Sequence, residues 1–110
     1  MDRVARIKQE YERLAKLYEG LPANKRELVD GLIANAAFMA VTLEDLQTQV
    51  TEEGAVIEQK NGNGFMSKME HPAQKSYNTM INRYNATIKV LGEMLPTVAV
   101  ESKLAAILNG

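Results

Sequence analysis

NKRELVDGLIANAAFMAVTLEDLQTQVTEE, Asn24 to Glu53, is an unbroken helical pattern of 30 residues stopped by Gly54. Leu28, Leu32, Ala36, Met39, Leu43, Leu46 and Val50 recur at steps of three and four, the stripe of an amphipathic helix. Asn24 followed by Glu27 has the spacing of a capping box, with asparagine in place of the usual hydroxyl residue. At 1.5 Å per residue the helix is roughly 45 Å long. Gly31, Ala34, Phe38 and Val41 lie around the back of the stripe, so the middle of the helix is apolar or small on nearly every side. Such a helix needs cover on every side, and a neighbouring subunit supplies it more readily than the short remainder of this chain. The expectation is a homo-oligomer with Gly31, Ala34, Phe38 and Val41 at the subunit interface.

Before this run, Val4, Ile7, Tyr11, Leu14 and Tyr18 mark a first helix over about 2–19, ended by Gly20 and Pro22. After it, Asn61-Gly62-Asn63-Gly64 between short apolar-containing runs predicts a β-hairpin or loop over 55–69. Two strands alone are marginal in water, so the ribbon needs support from a helix or a neighbour. Pro72 then opens a helix reaching about residue 95, with Tyr77, Ile81, Tyr84, Ile88, Leu91 and Leu95 in one stripe. Asn78, Asn82 and Asn85, followed by Lys89, form a second stripe beside it. Asparagine is a poor helix former, so three on one flank invite a reason. One reading is a solvated flank; the other is a helix–helix contact between subunits whose register the amides set, with Tyr77 and Tyr84 at the same oligomer interface. The fold class is thus mainly α: a bundle of three to four helices around one long helix, with a small hairpin. Residues 1–96 form a single helical domain in this reading, and 97–110 a short C-terminal helical segment.

The 110 residues include no cysteine, which removes a disulfide framework, a thiolate nucleophile and a cysteine zinc site. Apolar runs such as Ala36 to Val41 fall far short of the roughly 20 residues of a membrane span, and a soluble protein is expected. The net charge of −1 hides an uneven distribution: +3 over residues 1–26, −7 over 27–58 and +3 over 59–110. DNA contact would have to come from a local patch, or from many copies of one.

No Gly-Lys-Ser/Thr phosphate loop is present, and the glycines at 62 and 64 lead into Phe65 and Met66. His71 is the lone histidine and precedes a proline, which suits a helix-capping or surface role better than metal binding. Glu44-Asp45 and Glu52-Glu53 read as a solvated acidic face, since nothing completes a metal-dependent nuclease around them. The sequence points to no enzyme, no metal and no cofactor. The basic candidates for phosphate contact are Arg3, Arg6, Arg13 and Lys16 on the first helix, with Lys25 and Arg26 at the start of the long one. A solvated helix face explains them almost as well. No helix-turn-helix is visible, because the helix after the turn is long, acidic and apolar.

ELVDGLIANAAFMAVTLEDL, the glycine-rich hairpin and above all EHPAQKSYNTMINRYNATIKVLGEMLP resemble the small-subunit terminases of tailed phages and prophages. The likeness runs from about Leu28 to Pro96, and its recurring piece is a Pro-Ala helix start followed by Tyr-Asn-Thr-Met-Ile and a second Tyr-Asn one heptad on. Here these are Pro72, Ala73, Tyr77, Asn78, Thr79, Met80, Ile81, Tyr84 and Asn85. The resemblance implies a non-enzymatic, mostly helical subunit in the host bacterial cytoplasm. Such a subunit assembles into a ring, engages double-stranded phage DNA and passes it to a large subunit carrying the ATPase and nuclease. The helix-turn-helix that many small terminases carry at the N-terminus is missing, which leaves basic residues of the first helix, repeated around a ring, as the expected DNA contact. The large subunit is expected to meet the terminal segment through Val98, Val100, Leu104, Ile107 and Leu108. Two other readings stand beside this one: a helical scaffolding module of phage origin that never meets nucleic acid, and a DNA-binding regulator.

Overall fold

A computed structural model describes residues 1–96 of the chain. Three helices and a hairpin follow one another: α1 (Arg3–Lys16), α2 (Ala23–Glu53), β1 (Val56–Lys60), β2 (Met66–Glu70) and α3 (Pro72–Glu93). The mainly helical class, the long second helix and the hairpin are those expected. The terminal segment, with Val98, Val100, Leu104, Ile107 and Leu108, lies outside the described residues.

Both α1 and α3 pack along α2. The core where they meet comprises Leu14 and Tyr18 of α1 and its following turn, Val29, Ile33 and Ala36 of α2, and Leu91 of α3. Tyr11, Leu32, Tyr84 and Ile88 pack against its rim. The buried Tyr18 hydroxyl donates to the Leu91 carbonyl and ties the end of α1 to α3. That reach explains why α1 stops at Lys16 and not at Glu19. The last turn tightens, with Leu17 and Tyr18 amides donating to Leu14 and Ala15 carbonyls, and carries Tyr18 inward.

The start of α2 also differs from the capping-box expectation. Pro22, in extended conformation, precedes the first helical residue Ala23, and its carbonyl accepts from the Arg26 amide at 2.9 Å. Asn24 therefore lies inside the first turn and Glu27 just beyond it, and no side chain caps this end. Leu21 packs on the core and fixes where the chain must turn. The buried face of α2 is rotated from the leucine stripe. Val29, Ile33, Ala36, Ala37, Val41 and Leu43 are buried, while Leu28 is 69% exposed. The helix is gripped by α1 on one flank and α3 on the other, so its inner face is wider than a single partner would make it.

The hairpin is antiparallel, with Ile57 opposite Met69 and Glu58 opposite Lys68. Its turn is built by Asn61, whose side-chain oxygen accepts from the Asn63 and Phe65 amides at 3.0 and 3.1 Å. Gly64 takes φ +83°, which favours glycine and closes a three-residue turn. Nearly every residue of both strands is exposed. His71 joins hairpin to helix: its Nδ1 accepts from the Ala73 amide at 2.9 Å, its Nε2 lies 3.2 Å from Glu53, and its amide donates to the Ala55 carbonyl. Of the capping or surface role anticipated for His71, the capping one is the one it has, and the side chain is buried.

Candidate interaction surfaces

Among the described residues the α1–α2 seam is rich in polar contacts. Glu44 and Asp45 lie on the flank of α2 that α1 covers, and Arg3 and Arg6, one turn apart on α1, reach them. Arg3 and Arg6 each contact Asp45 at 2.6 Å, and Arg6 contacts Glu44 at 2.8 Å. Arg3 also donates to Thr42, and its guanidinium lies 5.2 Å from the centre of the Phe38 ring. The hydrogen bond from Arg6, supplemented by Arg3, holds the Asp45 carboxyl below its ordinary value against a smaller desolvation. The Arg6 guanidinium is correspondingly raised, by Asp45 first and Glu44 second. Deeper along the seam Tyr11 donates to Asp30, which pushes the phenol up.

The six expected phosphate contacts are therefore not alike. Arg3 and Arg6 are committed to α2, and Arg13 is paired with Glu10 one turn before it. Arg26 is half-buried and donates to the Ala15 carbonyl at 3.0 Å, covering the end of α1. Among the described residues only Lys16 and Lys25 of the six make no ion pair or side-chain hydrogen bond. A crevice of about 430 Å³ beside α1 takes in Arg6, Arg13 and Lys16 but also Glu10, Glu12 and Glu44, so its charges cancel.

The expected oligomer-interface residues also separate. Gly31 and Ala34 are exposed and Phe38 is 49% exposed, so three of them form an open outer strip on α2. Val41, expected beside them, is 3% exposed and covered within the protomer, because the α1 side of α2 closes over it. On α3, Tyr84 is half-buried against the core, and burial raises its phenol. Tyr77 is half-buried with its hydroxyl accepting from Gln47 at 3.1 Å. Asn78, Asn82 and Asn85 are all exposed.

Between the outer faces of α2 and α3 runs a groove of about 680 Å³. Phe38, Met39 and Met80 give it an apolar floor, and Lys75 and Arg83 rise at its α3 edge with Thr79 between them. Neither cation stands out in the sequence. Their signal is an absence: no Asp or Glu occurs from Pro72 to Gly92. Among the described residues no group of three or more His, Cys, Asp or Glu side chains is placed to hold a metal ion, and no helix is long and apolar enough to cross a membrane.

No curated protein and no solved structure matches this chain. A family model described as phage terminase, small subunit, matches residues 8–97, which takes in most of α1, the whole of α2, the hairpin and α3. With that match spanning the elements just described, the chain belongs to the phage terminase small-subunit family.

Proposed function

We propose that this chain is the non-enzymatic, self-assembling subunit of a phage DNA-packaging machine, which engages double-stranded DNA and presents it to a large subunit holding the ATPase and nuclease. The family match over residues 8–97 carries this reading. The shape of the protomer supports self-assembly. Its radius of gyration is 19.5 Å, against about 13 Å for a compact domain of 100 residues. It leaves Phe38 and Leu28 exposed on α2. A ring would cover that outer strip, where Gly31 and Ala34 permit close approach, and would repeat each weak DNA contact around its circumference. The terminal segment, through Val98, Val100, Leu104, Ile107 and Leu108, is the proposed contact for the large subunit.

One observation favours the scaffolding alternative, a helical interaction module with no nucleic-acid contact: the arginines of α1 are satisfied within the protomer. Two measurements separate the readings. Light scattering across concentration and salt is expected to give a stable multiple of the protomer mass, and binding to a long mixed-sequence duplex is expected to fall steeply as salt rises. Assembly without DNA binding would leave the scaffold; a persistent monomer in the presence of DNA and the large subunit would sink the ring. Removing residues 97–110 is expected to abolish capture of the large subunit while the assembly keeps its mass, and retained capture would dismiss the tail as the contact.

A further inference from the structure

The charge of this molecule is segregated by its fold. The acids of α2 that lie nearest its middle, Asp30, Glu44 and Asp45, all turn toward α1, where Tyr11, Arg3 and Arg6 meet them. That pairing neutralises the α1 side. On the other side α3 runs from Pro72 to Gly92 without an acid, carrying Lys75, Arg83 and Lys89. All three are exposed, and among the described residues none of them makes an ion pair. At about 100° per residue they fall on one outward face, with Thr79, Asn82 and Ala86 along its centre.

The polar residues on that face suit a phosphate backbone. Thr79 and Asn82 are exposed; each makes one helix-internal bond, Thr79 to the Lys75 carbonyl and Asn82 to the Asn78 carbonyl at 3.2 Å. Asn82 keeps a second amide hydrogen for a ligand. Two acids border this flank: Glu70 at the hairpin end, 3.5 Å from the Asn78 amide, and exposed Glu93, one turn beyond Lys89 at the end of α3. Lys75 and Arg83 are separated by about 12 Å along the helix axis, comparable to the roughly 12 Å width of the DNA major groove. Arg83 and Lys89 are a further 9 Å or so apart.

We infer that the outward face of α3, through Lys75, Arg83 and Lys89 with Thr79 and Asn82 between them, is the surface that contacts the phosphates of double-stranded DNA. This rests on the DNA-engaging reading above and moves the contact from α1 to α3. It also accounts for the asparagine flank: short amides beside cations are useful against phosphate oxygens and cost nothing in desolvation when the face is free. The subunit contact then falls to the strip of Gly31, Ala34 and Phe38 on α2, which adjoins the α3 face across the groove that Phe38 shares with Lys75, Thr79 and Arg83.

The test is fluorescence anisotropy with a labelled mixed-sequence duplex, using the full chain in its assembled state, across a salt series. The variants are Lys75→Gln/Arg83→Gln/Lys89→Gln and, as comparison, Lys16→Gln/Lys25→Gln, with circular dichroism and light scattering to confirm fold and mass. The α3 triple is expected to weaken binding at least about tenfold and to flatten the log–log salt slope by about 0.9 for each phosphate it no longer neutralises. The Lys16/Lys25 pair is expected to bind within about twofold of the parent, as charges away from the contact do. Lys89→Glu alone is expected to weaken binding without changing mass. If the parent binds and the triple binds equally well, the α3 inference falls and the packaging reading stands. A parent that binds no duplex at low salt sinks both. A triple variant that loses assembly mass assigns the face to subunit packing and overturns the inference. So does competition by polyglutamate as effective as by DNA, which would make the partner an acidic protein surface.

Discussion

His71 shows how much one side chain holds at the junction of hairpin and helix. It is 5% exposed, and its Nδ1 takes the Ala73 amide that would otherwise be orphaned at the start of α3. His71→Ala is expected to cost about 1 kcal/mol of unfolding free energy in urea, with His71→Asn recovering most of it because asparagine supplies an equivalent acceptor. Asp45 sets a pH dependence. Its folded pKa is depressed by Arg6 and Arg3, so the stabilisation it contributes is present above the ordinary carboxylate pKa and is lost as pH falls through the lower folded value. The stability gap between the parent and Asp45→Asn should therefore be open at neutral pH and close below about pH 3.9; a gap that stays constant down to acid would refute the coupling. A capping or surface role for His71 was legible in the sequence because it directly precedes a helix-starting proline and has no Cys or His partner; that it caps and is buried was decided by the packing of hairpin against helix. The engagement of Arg3 and Arg6 was not, since their partners lie 38 to 42 residues away along the chain.

Among the elements, α2 carries the clearest lesson. Its length and type follow from periodicity, but which side faces inward depends on its two neighbours. Ile33 and Val29 are fully buried while Leu28 is mostly exposed. Ile33→Ala is expected to destabilise by about 2–5 kcal/mol through transfer and cavity terms. Leu28→Ala should stay within about 0.5 kcal/mol, as surface changes do. Equal costs at the two positions would restore the leucine stripe as the core face. The hairpin was readable because Asn-Gly repeats enforce a turn whatever surrounds them. Its exposure on both faces was not, because that depends on where α2 ends and where His71 anchors the return.

For the whole molecule, the open strip on α2 is the place where assembly is tested. Phe38→Asp puts a charge into a half-exposed ring position beside Ala34 and Gly31. The expected outcome is a fall in mass by light scattering with the helical content retained. Unchanged mass would move the subunit contact elsewhere. Because Arg3 lies over the same ring, circular dichroism melts should accompany the measurement, with a loss of about 0.5–1 kcal/mol attributable to that cation–π contact alone.

Helix periodicity, turn chemistry and the absence of reactive residues are local properties, and the amino-acid order by itself determined them: a bundle of three to four helices around one long one, a hairpin or loop at 55–69, a histidine suited to a capping or surface role and a chain resembling small terminases. Charge pairing and burial are not local. Tertiary structure alone decided that Arg3 and Arg6 of α1 are held by Glu44 and Asp45, that Val41 is covered within the protomer, and that Lys75, Arg83 and Lys89 of α3 stand exposed without an ion pair among the described residues. The physical reason is that an ion pair or a buried side chain is defined by what lies across a packed interface. Helices α1 and α3 reach α2 from opposite flanks, so only their docking settles which charges cancel and which remain.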